Sequence, residues 1–155
     1  MSMTEHDAAG VAILLWAADP SQPQRLATPL FHAAAAAAMD VPVELYFSAA
    51  SVQLLVPAVA AGLRASAQAD KTIADNLREA VELGARLFVC SDALQAQGVD
   101  AATLMPGCQR GGAVQFMALV FSGRSPSRAA GGKLNTAPSR TPADGQRWVM
   151  VLRLV

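Results

Sequence analysis

The chain predicts an α/β fold, a three-layer sandwich built on a mostly parallel sheet, and three observations carry that expectation. Short apolar runs alternate with helical stretches in the order strand, helix, strand, helix, strand, helix, strand. The first run, residues 11–17 (VAILLWA), is continuously apolar and is followed by Asp19-Pro20-Ser21, the pattern of a strand covered on both faces. With 155 residues, 53% of them hydrophobic, the chain has the length of a single domain, residues 1–155, that buries its core without staples.

Residues 1–9 are polar and are expected to fray. After the first strand, Thr28-Pro29 supplies an N-cap and a proline at the first helical position. The helix entered there carries the alanines of residues 33–38, whose small side chains let a helix lie close on a sheet, and it stops at Asp40-Val41-Pro42. Residues 43–47 (VELYF) alternate and are rich in strand formers, so they are the second strand. Ser51 can cap a short helix carrying Val52, Leu55 and Val56, which Pro57 ends or kinks. Residues 58–70 are a small-residue segment of ambiguous type with a stop at Gly62.

Thr72 opens the clearest helix, with Asp75 in the position where a capping box places a glutamate. Ile73, Leu77, Ala80 and Val81 share one face of it, and Gly84 stands where a C′ residue belongs. Residues 86–90 (RLFVC) are the third strand; Ser91-Asp92 then cap a short helix to Gln97, which Gly98 ends. Residues 101–105 make a further turn broken by Pro106-Gly107, and residues 111–121 read as a helix entered through Gly111-Gly112. Residues 123–146 are dominated by Gly, Ser, Pro, Arg and Thr, the composition of a long mobile loop. Residues 148–155 (WVMVLRLV) are the final strand.

Twelve basic and twelve acidic side chains leave a formal net charge of zero. Neither phosphate neutralisation nor attraction to lipid has charge to work with, so nucleic-acid and membrane-surface partners are not expected. Two cysteines are too few for a disulfide-framed secreted domain. Before Trp16 the charges are Glu5 and Asp7 and no basic n-region precedes an apolar core, which points to the cytoplasm. No dinucleotide fingerprint, Walker motif or G-x-S-x-G elbow occurs, and His6 and His32 have no partner at metal-ligand spacing. Neither a cofactor nor a metal is expected, and His32 reads as a structural residue of the alanine helix.

Cys90 is the exception. It ends a parallel strand, where open α/β sheets place functional groups, and the helix after it turns unpaired N–H groups and a positive end toward the sulfur. That environment favours the thiolate that attacks sulfur electrophiles, whereas the carboxylate of Asp92 opposes a second negative charge nearby. Two readings stand for Cys90: a reactive thiol, or a small hydrophobe closing Leu87-Phe88-Val89. Cys108, in the loop around Pro106-Gly107, likewise reads as a resolving thiol or as a cysteine without a partner, and Arg110 as a charge able to reach either sulfur.

The stretch Thr72-Ile73-Ala74-Asp75-Asn76-Leu77, then Ala85-Arg86-Leu87-Phe88-Val89-Cys90-Ser91, Gln97-Gly98-Val99-Asp100 and Gly111-Gly112-Ala113 resembles the DsrE/DsrF-like family. Tyr46-Phe47-Ser48 and Ser51-Val52-Gln53-Leu54-Leu55 look like it too, so the resemblance spans residues 10–122. It implies an α/β sandwich with about five strands, assembled as a homo-oligomer, a trimer or hexamer. In the DsrEFH and TusBCD complexes, members carry a persulfide on a cysteine that matches Cys90. The chain departs from those relay proteins in its alanine tract, its loop at 123–146 and the lack of a basic residue beside Cys90 in sequence. The resemblance therefore implies a sulfane-sulfur carrier of sulfurtransferase type, with Cys90 as the carrying group, the amides after Ser91 holding the anion, and sulfur donor and acceptor proteins as partners. Two alternatives use the same fold: a non-catalytic assembly or regulatory module, and a small-ligand binder at the strand ends.

Overall fold

The computed structural model describes residues 10–122 and 148–152. Five parallel strands form one sheet in the order β4-β3-β2-β1-β5: β1 (Gly10–Leu15), β2 (Val43–Phe47), β3 (Arg86–Val89), β4 (Cys108–Arg110) and β5 (Trp148–Leu152). The helices are α1 (Gln24–Ala38), α2 (Pro57–Ala60), α3 (Ile73–Glu82), α4 (Ser91–Ala96) and α5 (Ala113–Ser122), with 3₁₀ turns at Ala49–Leu55 and Ala101–Thr103. The expected three-layer α/β architecture is the one observed. Among the described residues no helix is long and apolar enough to cross a membrane. The loop expected at 123–146 lies outside the described residues.

One face of the sheet presents Ile13, Leu45, Phe47, Leu87 and Val89 to α1 and α3. From α1 the stripe Leu26, Leu30, Ala33 and Ala37 is buried there, so two alanines of the tract do allow close approach to the sheet. The opposite face presents Ala12, Tyr46 and Phe88 to Phe116 and Leu119 of α5. Tyr46 stacks on Phe88 at 4.9 Å and meets Phe116 edge-on at 5.1 Å, which fixes α5 against the sheet.

All five residues of β2 are buried, although their alternation reads as one covered and one wet face. The strand is central, and α5 covers the side that holds Glu44 and Tyr46. Glu44 is 0% exposed. Its carboxylate pairs with Arg86, its register partner on β3, and accepts the Tyr46 hydroxyl at 2.6 Å. The Gln115 amide of α5 donates to the same hydroxyl at 3.3 Å. Burial, and then the Glu44 carboxylate, hold the Tyr46 phenol above its ordinary pKa, so it stays a donor.

Two local expectations are corrected. Helix α1 starts at Gln24 with Pro23 as N-cap, so Thr28 is not a cap and Pro29 lies inside the helix. Pro29 forgoes one backbone hydrogen bond, and the added turn buries Leu26 completely. The turn after β2 is 3₁₀ and is capped by Ser48; Ser51 is its third residue, buried, accepting the Ser48 N–H at 3.0 Å and donating to Leu15 O at 2.6 Å. Pro57 ends the preceding turn as expected, with Val56 before it extended, and it also opens α2 as its first residue, the place where its missing N–H costs nothing.

Thr72 and Asp75 form the expected box. The Asp75 N–H donates to Thr72 Oγ1 at 3.1 Å, and the Thr72 N–H donates to Asp75 Oδ2 at 2.9 Å. Gly84 follows α3 with a φ of 110°, which only glycine adopts readily. The Thr72 hydroxyl first, then its N–H and Arg78, hold the Asp75 carboxyl down from 3.8 to about 2. A depressed folded-state value means stability that is present above 3.8 and is lost as pH falls toward about 2. Urea titrations across that window are expected to show wild type losing its advantage over Asp75→Asn as the pH drops; an advantage independent of pH there would contradict the assignment.

Candidate functional site

The site is built where the strands end. In register, Leu15 faces Phe47, Phe47 faces Val89, and Val89 faces Arg110. Backbone pairing continues one residue further: the Ser48 N–H donates to Leu15 O at 3.0 Å, Cys90 N–H to Phe47 O at 3.0 Å, and Gly111 N–H to Val89 O at 3.1 Å. Extending the register by that residue sets Trp16, Ser48, Cys90 and Gly111 in a row across the carboxyl edge. Neighbouring positions in such a row are about 4.8 Å apart.

Cys90 is half-buried and is the N-cap of α4, with its carbonyl accepting the Leu94 N–H at 3.1 Å. The first amides of a helix have no intrahelical acceptor, and the Cys90 side chain makes no capping hydrogen bond to those of α4. Ser91 and Asp92 are exposed in the first turn. Asp92 is suited to a helix N-terminus and puts a negative charge on the Cys90 side.

Residues 108–110, expected as loop, are instead the edge strand β4. Three residues between glycines are too few to show alternation, and only pairing with β3 makes them a strand. That pairing places Arg110, whose Nη1 donates to Ser91 Oγ at 2.8 Å. A basic group thus reaches the residue that follows Cys90 from across the sheet. Gly111 then lets the chain turn into α5: a Cβ there would stand 2.8 Å from Cδ1 of the fully buried Phe88.

Cys108 is kept away from Cys90. It pairs with Leu87, three residues before Cys90, which separates the two positions by roughly 10 Å along the strand direction. Both thiols are free, and a direct disulfide would need the backbone to move. Cys108 packs against the main core and lines a cavity of about 130 Å³ with Val89, Leu94, Leu104, Met105 and Arg110. Burial pushes its thiol up to about 11, so it stays protonated near neutrality. His32 sits on the exposed side of α1, its Nδ1 2.8 Å from Thr28 O, as a structural residue would.

Cys90, Ser91, Asp92 and Arg110 therefore share one edge, and Cys108 is set back from it. Trp16, the first residue after β1, is 41% exposed, where the apolar run of residues 11–17 predicts a strand covered on both faces.

A family model described as the DsrE/DsrF-like family matches residues 11–125. The comparison with curated proteins finds no match. Among solved structures, the YchN protein from E. coli superimposes with a TM-score of 0.55 at 17% identity, covering 73% of this chain and 93% of that one. At that identity the likeness is one of fold.

Proposed function

Since the chain belongs to the DsrE/DsrF-like family, we propose that it is a sulfane-sulfur carrier and that Cys90 bears the sulfur as a persulfide. The observation that carries this reading is the Arg110 guanidinium, tied to Ser91 at 2.8 Å beside the only cysteine on the carboxyl edge among the described residues. In the transfer, the Cys90 thiolate attacks the outer sulfur of a donor R–S–SH. A new S–S bond forms at Cys90, the donor's S–S bond breaks, and its electron pair leaves on R–S⁻. The terminal sulfur keeps its proton, and no outside oxidant or reductant enters. Arg110 and the first amides of α4 hold negative charge on the attacking and carried sulfur. Mass spectrometry of the protein after exposure to a persulfide donor tests this: one added sulfur atom on Cys90, removable by reductant, is expected.

The working form proposed is a homo-oligomer, a trimer or hexamer, in the cytoplasm, exchanging sulfur with donor and acceptor proteins. Val114 and Met117 on the outer side of α5, Phe31 on α1 and Met39 at the C-cap of α1 are apolar and exposed, as surfaces awaiting a partner are. Light scattering at micromolar concentration is expected to return no monomer mass; a monomer throughout that range would remove the assembly from the proposal. A second reading, a small-ligand binder, is favoured by a cleft of about 460 Å³ lined by Leu54, Leu55, Leu77, Val81 and Met105. Ligand-induced melting shifts that survive loss of Cys90 would support it.

A further inference from the structure

The cleft of about 460 Å³ shares no lining residue with the row past the strand ends. One wall is α3, with Ala74, Leu77 and Val81, and another comes from Leu54 and Leu55 of the 3₁₀ turn. Pro57 and Pro106 also line it, where their fixed φ angles stiffen the wall, and the Met105 N–H donates to Leu55 O at 2.8 Å. The cleft is therefore preformed, apolar in its walls and of the size that takes a small molecule.

Its charges do not balance. Arg78 and Glu82 are the charged residues of the lining, one helical turn apart on α3. The Arg78 guanidinium is held by Asp75, with Nη1 3.0 Å from Oδ1, and Glu79 is answered by Lys71 at 2.7 Å. Among the described residues no ion pair or hydrogen bond reaches the Glu82 carboxylate. Were Arg78 to turn to Glu82 instead, Asp75 would be left over, so one negative charge stays in excess in either arrangement. The last turn of α3 holds no basic residue, and the negative end of the helix adds to Glu82. We propose that the cleft binds a small amphipathic amine, its apolar body against Leu77, Val81 and Met105 and its ammonium group at the Glu82 carboxylate.

This inference rests on the small-ligand reading, not on sulfur chemistry, and its test separates it from that reading. Octylamine, octanol and octanoate offer one apolar chain with three different heads, and the amine is protonated near neutrality as a lysine side chain is. Binding is followed by the Met105 methyl signal in NMR spectra, identified by its loss in Met105→Leu. At low salt octylamine is expected to bind wild type about fivefold more tightly than octanoate, since one gains an exposed ion pair and the other meets a like charge. Glu82 is exposed, so the fold tolerates its replacement. Glu82→Gln is expected to remove most of the preference, Glu82→Lys to invert it, and high salt to shrink it in wild type. Equal affinities for the three probes, with the Met105 signal shifted by each, overturn the amine assignment and leave the small-ligand reading standing. A Met105 signal that none of the three moves overturns the small-ligand reading and the inference with it.

Discussion

Cys90→Ser is expected to abolish sulfur loading and leave the fold intact. Serine differs from cysteine by one atom, and Cys90 is only half-buried, so the packing cost is small. Cys90 is also the N-cap of α4, a position at which serine is among the preferred residues. Lost loading therefore cannot be traced to a lost helix. Cys108 does not take over, because burial pushes its thiol up to about 11 and leaves little thiolate near neutral pH. Donor-treated wild type is expected to gain one sulfur, Cys108→Ser to gain the same, and Cys90→Ser to gain none. The reverse pattern, with sulfur on Cys108 and Cys90 inert, would make Cys90 a packing residue and favour the assembly-module alternative.

The largest loss of stability is expected from Arg86→Met. Glu44 is 0% exposed and its carboxylate is matched by Arg86, whose side chain is 24% exposed, and by the Tyr46 hydroxyl. Removing the guanidinium leaves a fully buried carboxylate with only the Tyr46 hydroxyl to answer it, and breaking such a pair costs about 3 kcal/mol. Glu44→Gln is expected to cost less. It strands no buried charge, the amide oxygen still accepts from Tyr46, and Arg86 can turn toward water. The double variant Glu44→Leu/Arg86→Met is expected to recover much of the loss, because neither charge then needs compensation. Urea midpoints for the three variants check the order; Glu44→Gln as destabilised as Arg86→Met would refute the account.

Much of the frame was legible because it is written locally. The second strand was read at its observed bounds, Val43–Phe47, because strand formers there are bracketed by Pro42 and Ser48. The start of α3 was read because a capping box spans three residues, and Gly84 because a left-handed residue needs glycine. Cys90 was found because a strand followed by a cap is a local signal. The start of α1 was misread for the same kind of reason. Thr28-Pro29 satisfies the rule for a helix entry, but the burial of Leu26 against the sheet, a tertiary contact, outweighs it.

What the sequence determined by itself, then, is the α/β frame and the position of Cys90 at a strand end, since hydrophobic period, caps and turn residues act within a few positions. The surroundings of that cysteine were decided only by the tertiary structure. Arg110 meets Ser91 across 19 residues and Arg86 meets Glu44 across 42, and neither contact has a local cause. Both depend on strand register, which cooperative pairing of the whole sheet sets, and register also turned residues 108–110 into a strand.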